Sequence, residues 1–312
     1  MKIVTAIVGP TAIGKTNLAF SMARNWPIEV ISMDSAQVYI GMNIGTAKPN
    51  IIEQQQLVHH LIDIIPPTES FSAAKFISLA KNLITEIWSR GNIPVLVGGT
   101  FLYLHSIYYG INAIPNGNPM IRKKIEEEAQ EKGWLALHKK LEKVDPQRAA
   151  QLNKNDRQRI QRALEIYYAT GTKMSEYFQA IEKPLGNTPF WICGLNVNNR
   201  QDIQTIIENR FQGMIENGLI DEVKNLLKKY EIHENTPSMR CIGYKQVIQY
   251  LKNKQPIEEL ITSGVIATRQ LAKRQLTWLK KTPCDTVLFP YEKQDVDTRF
   301  NQELSNFLLK AR

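Results

Sequence analysis

One stretch near the start of the chain restricts the fold more than any other. Residues 9–16 read Gly-Pro-Thr-Ala-Ile-Gly-Lys-Thr, the pattern G-x-x-x-x-G-K-[ST]. The apolar run Ile3–Val8 comes directly before it, and a helix is predicted from Lys15 to Arg24. A glycine-rich loop between a buried strand and a helix turns its backbone N–H groups towards phosphate oxygens. The sequence therefore predicts a phosphate-binding loop in an α/β fold.

The residues of this loop have separate predicted roles. Lys15 is expected to reach the terminal phosphates, and the Thr16 hydroxyl is expected to bind Mg²⁺. The predicted phosphate-binding set is Gly9, Pro10, Thr11, Ala12, Ile13, Gly14, Lys15 and Thr16. An ordinary glycine-rich turn is the alternative, but the strand before the loop and the helix after it favour the phosphate-binding interpretation.

Further apolar runs predict the rest of a sheet. Strands are predicted at Ile28–Met33, Leu61–Ile65, Ile93–Val97, Phe190–Val197 and Thr286–Phe289. Amphipathic helical patterns separate most of them, the clearest being Ser72–Arg90. Strands that alternate with helices form a parallel sheet with helices on both faces.

The pattern changes in the middle of the chain, where only helices are predicted from about residue 112 to residue 183. Prolines and glycines open and close this stretch. We therefore predict an α/β fold of the P-loop NTPase type, a parallel sheet flanked by helices. Its core domain would comprise residues 1–112 and 184–312, and residues 113–183 would form an all-helical insertion domain.

Composition excludes several classes of protein. The three cysteines, Cys193, Cys241 and Cys284, lie far apart and predict neither a disulfide framework nor a zinc site. Unpaired cysteines are typical of a reducing compartment, so we expect a cytoplasmic protein. No apolar run is long enough to span a bilayer, and no feature indicates more than a monomer. The net charge of +9 is compatible with a polyanionic partner, and equally with a merely basic enzyme.

The ends of two strands bear on the chemistry. Ile93–Val97 is followed by two glycines and Thr100, with no carboxylate where ATP hydrolases hold Mg²⁺ and water. Group transfer from a phosphorylated donor is therefore favoured over ATP hydrolysis. Asp34 directly follows the second strand, and the carboxyl ends of neighbouring strands line one crevice. We predict that Asp34 accepts a proton from an attacking nucleophile, with a helix N-cap as the alternative.

Several longer motifs resemble those of one family. They are G-P-T-A-I-G-K-T from Gly9, D-S-A-Q-V-Y from Asp34, G-M-N-I-G-T-A-K-P from Gly41, V-G-G-T from Val97, N-D-R-Q-R from Asn155, R-C-I-G-Y from Arg240 and T-R-Q-L-A-K-R-Q from Thr268. In this order they are similar to the motifs of the bacterial tRNA dimethylallyltransferases, also called tRNA isopentenyltransferases. The resemblance runs from residue 9 to about residue 281.

The resemblance implies an activity: transfer of a dimethylallyl group from dimethylallyl diphosphate to an adenosine N6 of tRNA. That adenosine lies on the 3′ side of the anticodon in tRNAs that read codons beginning with U. The phosphate-binding loop would then hold the donor's diphosphate together with Mg²⁺, and Asp34 would be the base. Arg210 would clamp the diphosphate, and Thr100 would lie near the reacting groups. A solvated charge and a helix cap are the alternatives for these last two residues.

The resemblance also implies contacts with the anticodon stem-loop of tRNA. The implied residues are Asp34, Ser35, Ala36, Gln37, Thr100, Arg122, Gln158, Arg159, Ile160, Gln161, Arg162, Arg240, Cys241, Ile242, Gly243, Tyr244 and Lys245. The Gln37 amide could bond to a base edge, and Tyr244 could stack on a base or simply pack. Arg159 and Arg162 share a helix face and suit phosphate contacts, although solvated surface charge is the alternative for each.

Three other functions use some of the same residues. A small-molecule kinase of the P-loop class shares the loop and an aspartate, and an isopentenyltransferase acting on free adenine nucleotides shares both. A noncatalytic RNA-binding protein with a relic loop is the third. Residues 260–284 carry five basic residues and no acidic one, which favours an RNA-facing surface over the first two alternatives. The presence of Asp34, Thr100 and the full loop together argues against a relic loop.

Overall fold

The computed structural model describes residues 2–112, 114–178, 183–291 and 295–310. The chain forms two compact units, one of residues 1–108 together with 184–312 and one of residues 109–183. The insertion predicted at 113–183 falls within the second unit, although its residues 113 and 179–182 lie outside the described ranges. No helix in the described part of the chain is long and apolar enough to cross a membrane.

Six strands form a single sheet in the first unit. They are β1 (Val4–Val8), β2 (Ile28–Ser32), β3 (His59–His60), β4 (Ile93–Gly98), β5 (Phe190–Leu195) and β6 (Thr286–Leu288). Their order is β3-β2-β4-β1-β5-β6, and every neighbouring pair is parallel. The predicted α/β fold with a parallel sheet between helices is therefore confirmed.

Thirteen α-helices accompany the sheet in the described ranges. They are α1 (Lys15–Ala23), α2 (Ile51–Gln56), α3 (Ala73–Ser89), α4 (Phe101–Tyr109), α5 (Pro119–Lys132), α6 (Trp134–Val144), α7 (Pro146–Ala150), α8 (Arg157–Thr170), α9 (Arg200–Glu216), α10 (Leu219–Lys229), α11 (Tyr244–Asn253), α12 (Ile257–Leu279) and α13 (Val296–Lys310). Helices α5 to α8 belong to the second unit. They pack around a core of their own that includes the fully buried Leu141, Ile160 and Leu164.

Alternating residues of β1 fill two cores on opposite faces of the sheet. Ala6 and Val8 belong to the core that α3 and α4 cover. Ile7 belongs to the other core, which α1 and α13 cover, with Leu18 and Phe300 among its members. Successive side chains of a strand point to opposite faces, so a continuous apolar run fits a strand that is covered on both sides. Complete burial of one such side chain contributes roughly 1.5–3 kcal/mol.

The prediction of a strand at Leu61–Ile65 was wrong. The chain pairs with β2 only at His59 and His60. It then turns, because Leu61 and Asp63 have φ angles of 63° and 52°. These left-handed values do not fit an extended strand. Apolar content alone does not reveal such a turn, since Leu61 is buried in the core as a strand residue would be.

Candidate active site

The carboxyl ends of β1, β4 and β2 open onto one cavity of about 300 Å³. These strands are neighbours in the sheet, so their ends bring distant parts of the chain to one edge. The predicted site residues in its lining are Thr11, Ala12, Gly14, Lys15, Thr16, Asp34, Gln37 and Arg210. The side chains of Leu271 and Gln275 on α12 also line it. The structure therefore brings the predicted phosphate-binding loop, base and clamp to a single site.

The loop enters helix α1 with its backbone N–H groups available. Gly14 is the N-cap, with a left-handed φ of 96° that favours glycine, and no side chain caps the helix. The N–H groups of the first turn, including those of Lys15 and Thr16, therefore lack an intrahelical acceptor. At the other end of the loop, a Cβ on Gly9 would lie 2.6 Å from the Leu195 carbonyl oxygen. Both glycines are thus required by the conformation of the loop.

Two cations share this cavity, and neither has a carboxylate partner within ion-pair distance among the described residues. Lys15 Nζ donates hydrogen bonds to the carbonyl oxygens of Gly9 (3.2 Å) and Pro10 (2.7 Å). The pKa of Lys15 is lowered from 10.5 to about 7, mainly by burial and also by the charge of Arg210, while the Asp34 carboxylate opposes this shift. Burial also lowers the pKa of Arg210, although a guanidinium stays charged. Two half-buried cations beside a helix N-terminus form a site for an anion.

Asp34 uses one carboxylate oxygen to shape its own loop. Its Oδ1 accepts hydrogen bonds from the backbone N–H groups of Ala36 (2.8 Å) and Gln37 (3.3 Å). This is an Asx turn, and no helix follows, so the helix N-cap alternative is wrong. No hydrogen bond to Oδ2 occurs among the described residues. The side chain is half-buried in the cavity lining, where an oxygen can accept a proton from a bound nucleophile.

Gly98 and Gly99 line the cavity between the phosphate-binding loop and Asp34. Strand β4 lies between β1 and β2, so its end separates the two groups. A Cβ on Gly98 would overlap the carbonyl oxygen of Met33, the residue before Asp34. This explains in steric terms why no carboxylate stands at the end of β4. A donor bound at the loop and an acceptor bound near Asp34 can meet across these glycines.

Thr100 and Gln37 have partners that the sequence did not reveal. Thr100 lies outside the cavity lining, and its Oγ1 accepts a hydrogen bond from the Ser35 N–H at 3.2 Å. Gln37 accepts a bond from the Ser32 hydroxyl at 2.8 Å and donates to the carbonyl oxygens of Thr46 and Ala47. The Gln37 amide is thus engaged within the protein, which leaves it little capacity for the predicted bond to a base edge.

A glutamate that the sequence did not reveal holds the segment 43–45. The Glu222 carboxylate accepts backbone N–H bonds from Asn43 (3.1 Å) and Ile44 (2.8 Å), and a bond from the Tyr244 hydroxyl at 2.6 Å. Burial, assisted by Glu222, raises the pKa of Tyr244 above its usual range. Tyr244 is 0% exposed, so this side chain packs and is removed from the candidate tRNA contacts. Of the predicted segment 240–245, Arg240 and Lys245 are exposed.

The second unit contains a buried carboxylate among the predicted tRNA-binding arginines. Glu165, 1% exposed, accepts hydrogen bonds from the Asn118 N–H (2.8 Å), Arg122 (3.3 Å) and Arg162 (3.0 Å). Arg162 also donates to the carbonyl oxygen of Pro115. Arg162 is therefore largely committed to internal contacts, and Arg159 is the more exposed of the pair that was predicted to act together.

Three more residues of α8 belonged to the predicted tRNA-binding set. Gln158 is exposed on the helix surface. Gln161 donates a hydrogen bond to Glu126 at 2.9 Å. Ile160 is 0% exposed and lies in the core of its unit, so its predicted contact with tRNA is wrong for this side chain.

We expect Glu165→Gln to loosen the second unit. The substitution keeps the side-chain volume but leaves Arg122 and Arg162 without their counter-charge. Because both arginines are partly exposed, we expect a loss of about 2–3 kcal/mol, below the usual cost of breaking a fully buried pair. Amide hydrogen exchange in α5 and α8 should quicken by roughly 30- to 150-fold. The control Glu127→Gln removes an exposed pair with Lys123 and should change exchange little. Unchanged exchange in Glu165→Gln would contradict this role.

The donor set of the cavity suits magnesium held largely by substrate. In residues 2–112, 114–178, 183–291 and 295–310, no cluster of three His, Cys, Asp or Glu side chains could hold a metal. Mg²⁺ commonly keeps several waters and takes one or two protein oxygens together with substrate phosphates. Thr16, in the cavity lining at the start of α1, offers such a hydroxyl, and Asp34 lines the same cavity. The residues present therefore fit a phosphate-bound magnesium ion.

Comparison with known proteins shows that this chain is similar to one protein family. A sequence profile of the IPP transferase family matches residues 37–282. A tRNA dimethylallyltransferase of Legionella pneumophila (strain Paris) is 45% identical over 95% of this chain and 93% of its own length. A tRNA dimethylallyltransferase of Neisseria meningitidis serogroup C (strain 053442) is 43% identical, with 97% of each chain covered.

Solved structures agree with the sequence comparisons. The full-length tRNA isopentenylpyrophosphate transferase from Bacillus halodurans has a TM-score of 0.73 and 37% identity, over 99% of this chain and 98% of its own. A eukaryotic dimethylallyltransferase, described as acting on tRNA, has a TM-score of 0.83 and 28% identity. The match covers all of this chain and 80% of the eukaryotic one. The resemblance drawn from the motifs is thereby confirmed, and this chain belongs to the IPP transferase family.

Proposed function

We propose that this protein is a tRNA dimethylallyltransferase that uses dimethylallyl diphosphate as its donor. The acceptor is N6 of the adenosine on the 3′ side of the anticodon, in tRNAs that read codons beginning with U. The observation that carries the proposal is the pair of half-buried cations, Lys15 and Arg210, in one cavity with Asp34. We also propose that the protein works as a monomer in the cytoplasm.

The first part of the mechanism is the binding of the donor. The diphosphate lies against the first N–H groups of α1, where Lys15 and Arg210 supply positive charge. Their positive charge stabilises the negative charge that develops on the diphosphate as the allylic carbon–oxygen bond breaks. Magnesium, when bound through Thr16 and the phosphates, adds further positive charge at the leaving group.

The second part is the attack by the adenine amino group. Its lone pair is delocalised into the ring, so the amine is a weak nucleophile until its proton is removed. As N6 forms the new bond to the allylic carbon, the bond to the diphosphate breaks and the diphosphate departs with the electron pair. The N6 proton passes to the free oxygen of Asp34. The Asx turn engages Oδ1 in backbone bonds, so the other oxygen of this cavity-lining residue is left to take the proton.

The contacts with tRNA are a separate part of the proposal. Single-stranded loops expose bases that can leave the stack and enter a pocket. The arginines Arg122, Arg159 and Arg240 are exposed and suit contacts with the phosphates of the anticodon stem-loop. Lys273 and Arg274 on α12 are also exposed, so the first unit carries basic surface residues of its own. A metabolite kinase needs no such surface.

A transfer assay separates this function from its rivals. The protein is incubated with Mg²⁺, labelled dimethylallyl diphosphate and either unmodified tRNA or free AMP, ADP and ATP. We expect label in tRNA only, with one diphosphate released for each group transferred. Label found only in free nucleotides would identify an isopentenyltransferase of the nucleotide class. Movement of phosphate from ATP to a small molecule would identify a kinase.

The lowered pKa of Lys15 predicts proton uptake when the donor binds. In the free protein Lys15 loses its proton as the pH rises through about 7. A bound diphosphate favours the ammonium form and raises this pKa, so binding at pH 8 should take up roughly one proton and binding at pH 6 almost none. Calorimetry of dimethylallyl diphosphate binding in buffers of different ionisation enthalpy measures the uptake. Lys15→Arg should bind the donor without taking up this proton. Equal proton counts in the two proteins at pH 8 would contradict the assignment.

A further inference from the structure

We infer that Gln275 is a positioning residue that holds the donor loop and the β4 turn in a fixed relation to each other. The inference rests on the proposed function and extends it. Gln275 lies on α12, far along the chain from both segments, and is 8% exposed. It is the one described side chain that hydrogen-bonds to both the phosphate-binding loop and the turn after β4.

The two hydrogen bonds of Gln275 use both ends of its amide. The Oε1 atom accepts a bond from the Thr11 N–H at 2.8 Å. The Nε2 atom donates a bond to the Gly99 carbonyl oxygen at 3.0 Å. A side chain here must therefore accept at one end and donate at the other, as the glutamine amide does without a charge or a protonation requirement. A Cβ on Gly99 would overlap Nε2, so the glycine permits this close approach.

One partner of Gln275 belongs to the donor side of the proposed reaction, and the other belongs to the turn between the donor loop and Asp34. Thr11 belongs to the loop proposed to hold the diphosphate. Gly99 precedes Thr100, whose hydroxyl accepts the N–H bond of Ser35, the residue after Asp34. A chain of hydrogen bonds thus connects the donor loop with the segment that carries the base. Both segments lie beyond the ends of their strands, where sheet hydrogen bonds no longer hold them.

Fixing these segments matters because transfer requires a defined distance between donor and acceptor. Misplacement by about 1 Å can cost on the order of 100-fold in rate. The Thr11 N–H is bonded to Gln275, while the later N–H groups at the start of α1 remain directed to the anion site. Loss of Gln275 should therefore loosen the loop without removing a group that contacts the phosphates.

The test compares Gln275→Met and Gln275→Glu with the control Gln249→Met, which alters an exposed glutamine of α11. The probes are inorganic diphosphate with Mg²⁺ for binding, and dimethylallyl diphosphate with tRNA for reaction. For Gln275→Met we expect an affinity for diphosphate ~10-fold weaker and a single-turnover rate ~10- to 100-fold slower. The affinity of Gln275→Met for tRNA should stay within about two-fold of wild type. The transfer rate of the control Gln249→Met should also stay within about two-fold.

Gln275→Glu keeps an acceptor for Thr11 but loses the donor to Gly99 and adds a negative charge to the cavity. We expect Gln275→Glu to bind diphosphate at least as weakly as Gln275→Met. If Gln275→Met does not fold, the diphosphate affinity of Gln275→Glu tests the inference. A purely structural role would lower Tm and the fraction of active protein, yet leave diphosphate affinity and the rate per active site unchanged. That result, or wild-type values in either folded variant, would overturn the inference. Failure of the wild-type protein to bind diphosphate would instead overturn the proposed function.

Discussion

Asp34→Asn should slow dimethylallyl transfer by about 100- to 10,000-fold while leaving the fold of its loop intact. The asparagine carbonyl oxygen can still accept the N–H bonds of Ala36 and Gln37, so the Asx turn survives. Only the ability to take up the N6 proton is lost. Single-turnover transfer to unmodified tRNA, with both substrates saturating, measures the effect.

The binding measurements for Asp34→Asn distinguish loss of a base from loss of structure. Affinity for tRNA should stay within a few-fold of wild type, and affinity for diphosphate should not weaken, because the substitution removes a negative charge near the phosphates. Asp221→Asn, an exposed carboxylate on α10, is the matched control and should react normally. Transfer at nearly the wild-type rate in Asp34→Asn would show that another group accepts the proton.

Arg210→Met should lower kcat/KM for dimethylallyl diphosphate by roughly 100- to 1,000-fold, the usual loss when one group that stabilises a developing anion is removed. The methionine fills much of the same volume, so α9 should keep its packing around Ile207 and Phe211. Steady-state transfer at varied donor concentration measures the change, and inorganic diphosphate binding shows how much of it lies in the ground state.

Two further variants test the charge of Arg210 separately from its shape. Arg210→Lys retains a cation and should recover part of the lost rate, although without the planar fork of the guanidinium. Arg24→Met removes an exposed arginine at the far end of α1 and should leave the kinetics unchanged. If Arg210→Met reacted like the wild-type protein, Arg210 would be a structural charge, and the proposal that it clamps the diphosphate would be wrong.

The phosphate-binding loop, the parallel sheet and the entry into α1 were predictable because their signals are local. A continuous apolar run, a glycine pattern and a helix start occupy neighbouring residues. The predicted helix Ser72–Arg90 was close to the observed Ala73–Ser89 for the same reason. The third strand failed at Leu61 and Asp63, where two left-handed residues follow an apolar stretch.

The partners of polar side chains were less predictable because they come from distant segments. The bond from Thr11 to Gln275 joins residues 264 positions apart, and no periodic pattern indicates it. The sequence suggested that the Gln37 amide is free to bind a base, but in the structure it forms hydrogen bonds with Ser32 and with residues 46–47. Tyr244 was left open between stacking and packing, and its burial depends on α10 and Glu222.

One missed contact did leave a signal in the sequence. Glu165 lies three positions after Arg162, a spacing at which opposite charges on a helix meet. Weighing that pair would have assigned Arg162 partly to internal structure. The burial of Glu165 itself, and its bond to the Asn118 N–H, required the packing of α5 against α8.

The position of the prenyl group in the product tests the central claim most directly. The substrate is an unmodified tRNA with adenosine on the 3′ side of the anticodon, and the control is the same tRNA with inosine there, which lacks the exocyclic amine. After reaction with dimethylallyl diphosphate and Mg²⁺, nuclease digestion and mass spectrometry locate the added five-carbon unit. The account predicts one unit, on that adenosine alone, and none on the inosine-containing tRNA. Equal transfer to both tRNAs, or to neither, would contradict it.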